Sequence, residues 1–425
     1  MTKPFSISLS AEVKESFLPF SDRIFSKSLD TPLSAGACAF PCLIKTSNFV
    51  IVYHCNKNLA KLQIAAAGAN CYNIKSMRYH ILKKKDLDRF VREMSKKMKF
   101  VAPVKKGDSF VFSEVESAEA IALKYLPTIL PPKKYFMPPR EEMIQFDMSE
   151  HPPKETALAD IEPIVLFGVH TCDMAGLLCL NIVFSEDPKD YNFRRRAEKI
   201  FLVGLECNEL CDENANCVLA NSHIPSGGGY DMFFTDIGES FFIHARTERA
   251  ESLAKSFDFM PEAEMDHVKL LDKLRSKKRE KFSCDFGKRA HEIYYAFSKG
   301  MNSRVWEEIG ERCLSCGNCT NVCPTCYCFD MTDLINLDMK TGARVRLWDS
   351  CQYETFAVVA GGENFRESRA ERQRHRYYRK FKYSYDKYDR FFCTGCGRCT
   401  RTCMAGIDLK ETLKSLIRDM YGKGN

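Results

Sequence analysis

Several marks of a self-contained enzyme are missing from these 425 residues. There is no glycine-rich dinucleotide loop, no Walker phosphate loop and no serine-type nucleophile constellation. No flavin or nicotinamide is therefore expected in this chain. The run Gly227 to Gly229 precedes a predicted hairpin, where glycine serves turning. A long unbroken apolar stretch is also missing. The longest, Pro163 to Phe184, is interrupted by His170, Asp173 and Asn181. It reads as a buried strand and a helix, so no membrane insertion is expected. Met1 to Phe17 lacks a charged-then-apolar leader, and the expected location is cytoplasmic. Neither sign of charge dominates: 63 Lys and Arg face 56 Asp and Glu, a net +7. With 45% hydrophobic and 28% charged residues, the chain reads as soluble and globular, with two or three domains.

Cysteine is what the chain has in excess. There are 21, and eleven of them fall between Cys313 and Cys403. In a long chain without an export signal, metal ligation in a reducing compartment fits better than disulfides. Two runs organise the set, Cys313-Leu-Ser-Cys316-Gly-Asn-Cys319-Thr-Asn-Val-Cys323 and Cys393-Thr-Gly-Cys396-Gly-Arg-Cys399-Thr-Arg-Thr-Cys403. Both have the C-x2-C-x2-C-x3-C spacing of bacterial ferredoxins, which hold cubane iron–sulfur clusters. Three thiolates on one tight loop take three corners of a cube. The fourth cysteine is expected to open a helix and to cap the other cluster. Cys313, Cys316 and Cys319 therefore pair with Cys403, and Cys393, Cys396 and Cys399 with Cys323, giving two [4Fe-4S] clusters. Zinc ribbons use separated C-x2-C knuckles, which this spacing fits poorly. A zinc-dependent nucleic-acid binder is the rival that elemental analysis would reveal.

Residues 1–83 read as an N-terminal extension, in which Phe49 to His54 has strand character. Cys38, Cys42, Cys55 and Cys71 show no ligand spacing and read as small buried thiols. An α/β domain is expected over 84–250. Leu87, Phe90, Val91, Met94 and Met98 mark an amphipathic helix within Lys85 to Lys99. Phe100 to Val104 and Ser109 to Phe112 read as strands around a turn at Gly107, and Pro131 to Pro139 as a connector. Ile164 to Val169 and Ile200 to Leu205 are short apolar runs typical of parallel strands buried on both faces, a βαβ unit. Thr171 is the expected cap of the intervening helix, with Asp173 in its first turn.

Cys172 and Cys207 follow those two strands, on the edge where ligand sites form in parallel sheets. With Cys211 and Cys217 they make a candidate third iron–sulfur site; two or three buried thiols are the plainer alternative. Tyr230 to Ala245 reads as a hairpin turning near Gly238. Residues 251–304 form a helical linker. Residues 305–425 form an α-helical two-cluster ferredoxin-like domain with an insertion at 326–392. Within it Cys326, Cys328 and Cys351 read as structural thiols, with contact to a cluster or redox partner as the other reading. Asn364 to Arg390 carries ten Lys or Arg against four acids, interleaved with aromatics. It reads as a helical face whose cations offset cluster charge, or face an acidic partner subunit, rather than as a nucleic-acid surface.

Taken together these stretches resemble the iron–sulfur β subunit of soluble sulfhydrogenases and the related A subunit of anaerobic sulfite reductase. The matching pieces are Met137-Pro-Pro-Arg-Glu141, Leu166-Phe-Gly-Val-His-Thr-Cys172-Asp173, Val203-Gly-Leu-Glu-Cys207, Gly229-Tyr-Asp231 and the run from Arg312 to Cys328. They continue with Trp348-Asp-Ser-Cys351, Ala360-Gly-Gly-Glu-Asn-Phe365, Arg374-His-Arg-Tyr-Tyr378 and the second cysteine run. The resemblance runs from about residue 84 to the end. It implies an electron-relay subunit between an NAD(P)H-handling flavoprotein subunit and a catalytic subunit that reduces protons, sulfite or sulfur. The first 80 residues have no counterpart in it. Met404 replaces the usual proline, and the loop after Cys207 is spaced differently from the family's Cys-Phe-Cys ending. The rival enzyme reading is a self-contained reductase with an open iron site at Cys172, Cys207, Cys211 and Cys217.

Overall fold

A computed structural model describes residues 78–422, apart from 152–153, 157–160, 226–227, 283–285 and 287–289. Before residue 78 it describes three strands, β1 (Cys42–Lys45), β2 (Val50–Asn56) and β3 (Leu59–Ala65), paired antiparallel in that order. They belong to a unit spanning 1–73, and the expected strand at Phe49 to His54 falls mostly on β2. Cys38 and Cys71 lie outside the described residues.

Residues 74–425 form a second compact unit. It is built on a seven-stranded sheet. Its strands are β4 (Tyr79–Lys83), β5 (Lys99–Lys106), β6 (Ser109–Glu114), β9 (Ile164–His170), β10 (Ile200–Leu205), β11 (Met232–Asp236) and β12 (Ser240–Ala245). The spatial order is β4-β12-β11-β10-β9-β5-β6. The inner strands β11, β10, β9 and β5 run parallel, and the outer pairings are antiparallel.

The apolar runs of β9 and β10 have a direct physical cause. Side chains alternate across a strand, so Val165, Phe167, Phe201 and Val203 enter one core and Leu166, Ile200 and Leu202 the other, while a bulge at Gly168 (φ 78°) turns Val169 to the second core as well. Helices α1 (Leu87–Ser95) and α4 (Glu248–Ser256) cover the first face. The second is covered by α2 (Thr171–Phe184) and α3 (Tyr191–Lys199). Phe90, Phe100, Phe167 and Phe234 pack ring to ring at the centre of the first core. Truncating one of them to alanine would cost about 3–5 kcal/mol.

Between α4 and the cysteine runs lie α5 (Met265–Lys281), α6 (Ala290–Lys299) and α7 (Val305–Arg312), so the expected helical stretch is broken into separate helices. The insertion contains β13 (Phe329–Ile335) and β14 (Thr341–Trp348), then α8 (Arg369–Phe381) and α9 (Tyr383–Tyr388). Its hairpin joins β7 (Arg140–Asp147) and β8 (Lys154–Thr156) in a second sheet, order β13-β14-β7-β8. A buried ion pair fastens this sheet: Arg346 donates to Glu141 at 2.5 Å and also meets Asp190. The final helix is α10 (Leu409–Tyr421). Phe297, Trp306, Tyr377, Phe381, Leu413 and Leu416 from α6, α7, α8 and α10 form a third core. The half-buried thiols of Cys393, Cys399 and Cys403 pack against it.

Candidate iron–sulfur site

The two cysteine runs adopt nearly the same backbone. Ser315 and Gly395 have φ of 54° and 63°, and Gly317 and Gly397 have φ of 71° and 73°. These left-handed steps curl each loop so that its thiols point inward, and glycine adopts them without a steric penalty. A single helical turn follows each loop, Asn318–Asn321 in one and Arg398–Arg401 in the other. Here the expectation needs correcting. The fourth cysteines, Cys323 and Cys403, follow these short helices rather than opening new ones, and α10 begins only at Leu409. The turn is ended by Cys323 N–H bonding Thr320 O and Cys403 N–H bonding Thr400 O, both at 3.1 Å.

Each run lines a cavity. The first, with about 430 Å³ free of protein atoms, is walled by Cys313, Cys316, Cys319 and Cys403. The second, about 450 Å³, is walled by Cys323, Cys393, Cys396 and Cys399. Each fourth cysteine thus faces the cavity of the other run. Cys399 and Arg376 line both, so the cavities share a wall. The thiols ring these cavities instead of converging: among the described residues no three His, Cys, Asp or Glu side chains gather as a single-ion site. Four thiols drawn from two loops around each cavity match the ligand set of a cubane cluster.

The surroundings suit an anionic, sulfur-rich group. Gln373 Nε2 donates to Cys313 Sγ at 2.9 Å, Ser315 N to Cys313 Sγ at 3.4 Å and Ile407 N to Cys403 Sγ at 3.3 Å. Arg376 is 6% exposed and Lys380 8%. Burial opposes charge on both. Cys319 and Cys399 outweigh it for Arg376, and Cys323 and Cys326 for Lys380, so both stay protonated. Arg376 Nε has no hydrogen-bond partner. Burial pushes the Cys319 and Cys393 thiols up to about 12. Ligation would therefore have to displace protons.

The sheet edge meets the second run. Cys172 lies in the first turn of α2, beside Asp173. Asp173 and Arg398, both buried, form a two-pronged ion pair at 2.5 and 2.7 Å, and Arg398 Nε also donates to Thr128 O at 2.6 Å. Thr171 lies inside the helix; the residue before the helix is His170, which makes no side-chain cap bond. The Asp173–Arg398 pair supplies the anchoring instead. The loop after β10 packs over the glycines of the second run: Asn216 N donates to Gly395 O at 2.7 Å, and Arg401 bonds Asp212 at 2.8 and 3.0 Å. Glu206, fully buried, ties the start of this loop to Lys278 and Arg275 of α5.

Cys172, Cys207, Cys211 and Cys217 come within electrostatic reach of one another. Cys207 and Cys211 act chiefly on each other, and the pair raises Cys207 and lowers Cys211. Cys172 and Cys217 are raised, chiefly by burial, and each feels Cys211 and Cys396. Cys326, Cys328 and Cys351 line a further cavity, which shares Arg376 and Lys380 with that of the second run.

Sequence reasoning missed Gln373 as a sulfur hydrogen-bond donor, and Arg398 as an anchor. The signal for the first was there. Gln373, Arg376 and Lys380 are spaced three and four apart, one face of α8.

Residues 312–407 match the 4Fe-4S dicluster domain family, which implies two [4Fe-4S] clusters. No solved structure matches the chain. Sulfhydrogenase 2 subunit beta of Pyrococcus furiosus is 33% identical over 349 residues, covering 80% of this chain and 100% of that protein. With the paired thiol-lined cavities, this shows that the chain belongs to the family of iron–sulfur sulfhydrogenase β subunits.

Proposed function

We propose that this chain is the electron relay of a multi-subunit, cytoplasmic oxidoreductase. It passes electrons between a flavoprotein subunit that handles NAD(P)H and a catalytic subunit that reduces protons, sulfite or sulfur. Cys313, Cys316, Cys319 and Cys403 hold one [4Fe-4S] cluster, and Cys393, Cys396, Cys399 and Cys323 the other. The observation that carries the reading is the pair of thiol-ringed cavities with Cys399 and Arg376 in their common wall. When bound, each cluster supplies a one-electron carrier whose potential follows its hydrogen bonds and burial.

The chain's own residues set those conditions. Gln373 and the backbone N–H groups of Ser315 and Ile407 donate to ligand sulfurs. Arg376 and Lys380 offset negative charge between and beside the cavities. The Asp173–Arg398 pair holds the second loop against the sheet. With four thiolates per cluster there is no open iron for substrate, which favours a wire over a catalyst. Cys172, Cys207, Cys211 and Cys217 are a further candidate cluster set at the sheet edge. Were iron there open to substrate, the chain would act alone.

The experiment is oxygen-free purification of the intact chain. The expected outcome is at least about eight irons with matching acid-labile sulfide. Reduction by dithionite should give a cubane EPR signal, with no turnover of hydrogen, sulfite or NAD(P)H until partner subunits are added. Turnover by the isolated chain would favour the self-contained reductase.

A further inference from the structure

We propose that Cys326, Cys328 and Cys351 hold an additional iron–sulfur cluster beside the second cysteine run. These thiols line a third cavity, with about 360 Å³ free of protein atoms, close in size to the two already described. The insertion builds it. Pairing of β13 with β14 sets Phe329 opposite Trp348, and Asp349 N–H bonds Cys328 O at 3.0 Å. The hairpin thus returns the chain so that Cys351 and Cys328 line the same cavity. Cys326 lies on the same wall, and its backbone N–H bonds Cys323 O at 3.4 Å.

The surroundings ask for an anion. Arg376, Arg379 and Lys380 line this cavity, and no carboxylate does. Arg376 and Lys380 also serve the second cavity, but Arg379 does not. A fourth cation, Lys133, is 2% exposed and donates to Cys326 O at 2.9 Å. Arg376 and Lys380 already offset charge at the second cavity, so half-buried Arg379 and buried Lys133 are the cations left to this one, and a buried cation is costly without a counter-charge. A thiolate-bound cluster carries the missing negative charge. Three thiolates leave one iron of a cubane without cysteine, and His375 on the same wall supplies an imidazole for it. The backbone bond between Cys326 and Cys323, with Arg376 and Lys380 lining both cavities, sets this cluster beside the second one.

The test uses the full chain, purified without oxygen, and the triple variant Cys326→Ser, Cys328→Ser, Cys351→Ser. The wild type should hold more than about eight irons. The variant should lose about four irons and four sulfides while keeping the reduced EPR signals of the two motif clusters. If it does not fold, Cys328→Ala alone should show the same loss. A wild type with only about eight irons, a variant with unchanged iron, or a Cys328–Cys351 disulfide in the oxygen-free protein would overturn the proposal. The motif signals report separately on the relay, so absence of those signals counts against that reading and not against this one.

Discussion

The two cysteine runs share spacing and backbone, yet their surroundings differ. The first is open at one end. Cys316 is exposed, Leu314 is 61% exposed and Met404 82%, and all three line its cavity. A side chain covers its Gly317: a Cβ there would lie 2.5 Å from the Tyr353 ring. The second run is enclosed by backbone. A Cβ on Gly395 would lie 2.1 Å from Asn216 O, and Arg398 is locked to Asp173. The difference separates a port from an anchor. The first cavity faces solvent, where a partner subunit could approach. The second is welded to the α/β sheet.

The contrast makes ranked predictions. Arg398→Ala leaves Asp173 charged and buried without a partner. It should cost about 3–5 kcal/mol in denaturant unfolding. Iron should be lost first from the second cavity, whereas equal loss from both would erase the distinction. Next comes Gly395→Ala, which places a side chain at a left-handed φ, worth about 1–2 kcal/mol, and against immovable backbone. Gly317→Ala should be milder, because the Tyr353 ring can turn aside. Equal melting temperatures for the two variants would contradict this.

The smallest effect belongs to Gln373→Ala. Removing a donor to Cys313 Sγ favours the oxidised cluster, so the first cluster's potential should fall by tens of mV. A one-electron shift of about 59 mV is a tenfold change in equilibrium. Redox titration followed by EPR measures it, and the second cluster should not move.

What the sequence made legible was local or periodic. The runs of β9 and β10, the apolar stripe of α1 and the hairpin at Gly238 are each written within a few neighbouring residues. Cysteine spacing named eight candidate ligands for the same reason. The pairing of β14 with β7, and of Asp173 with Arg398, joins residues about 200 positions apart. Nothing in either segment's own pattern points to its mate. The cap expected at Thr171 went to the wrong position because this helix starts one residue early and draws its support from Asp173.

The most direct test is crosswise pairing itself, read by reduced-state EPR of Cys403→Ala beside Cys316→Ala and Cys396→Ala. The surviving signal of Cys403→Ala should match that of Cys316→Ala, because both lose the solvent-facing cluster. A match to Cys396→Ala instead would mean that each run holds its own cluster, and the shared-wall relay would be wrong.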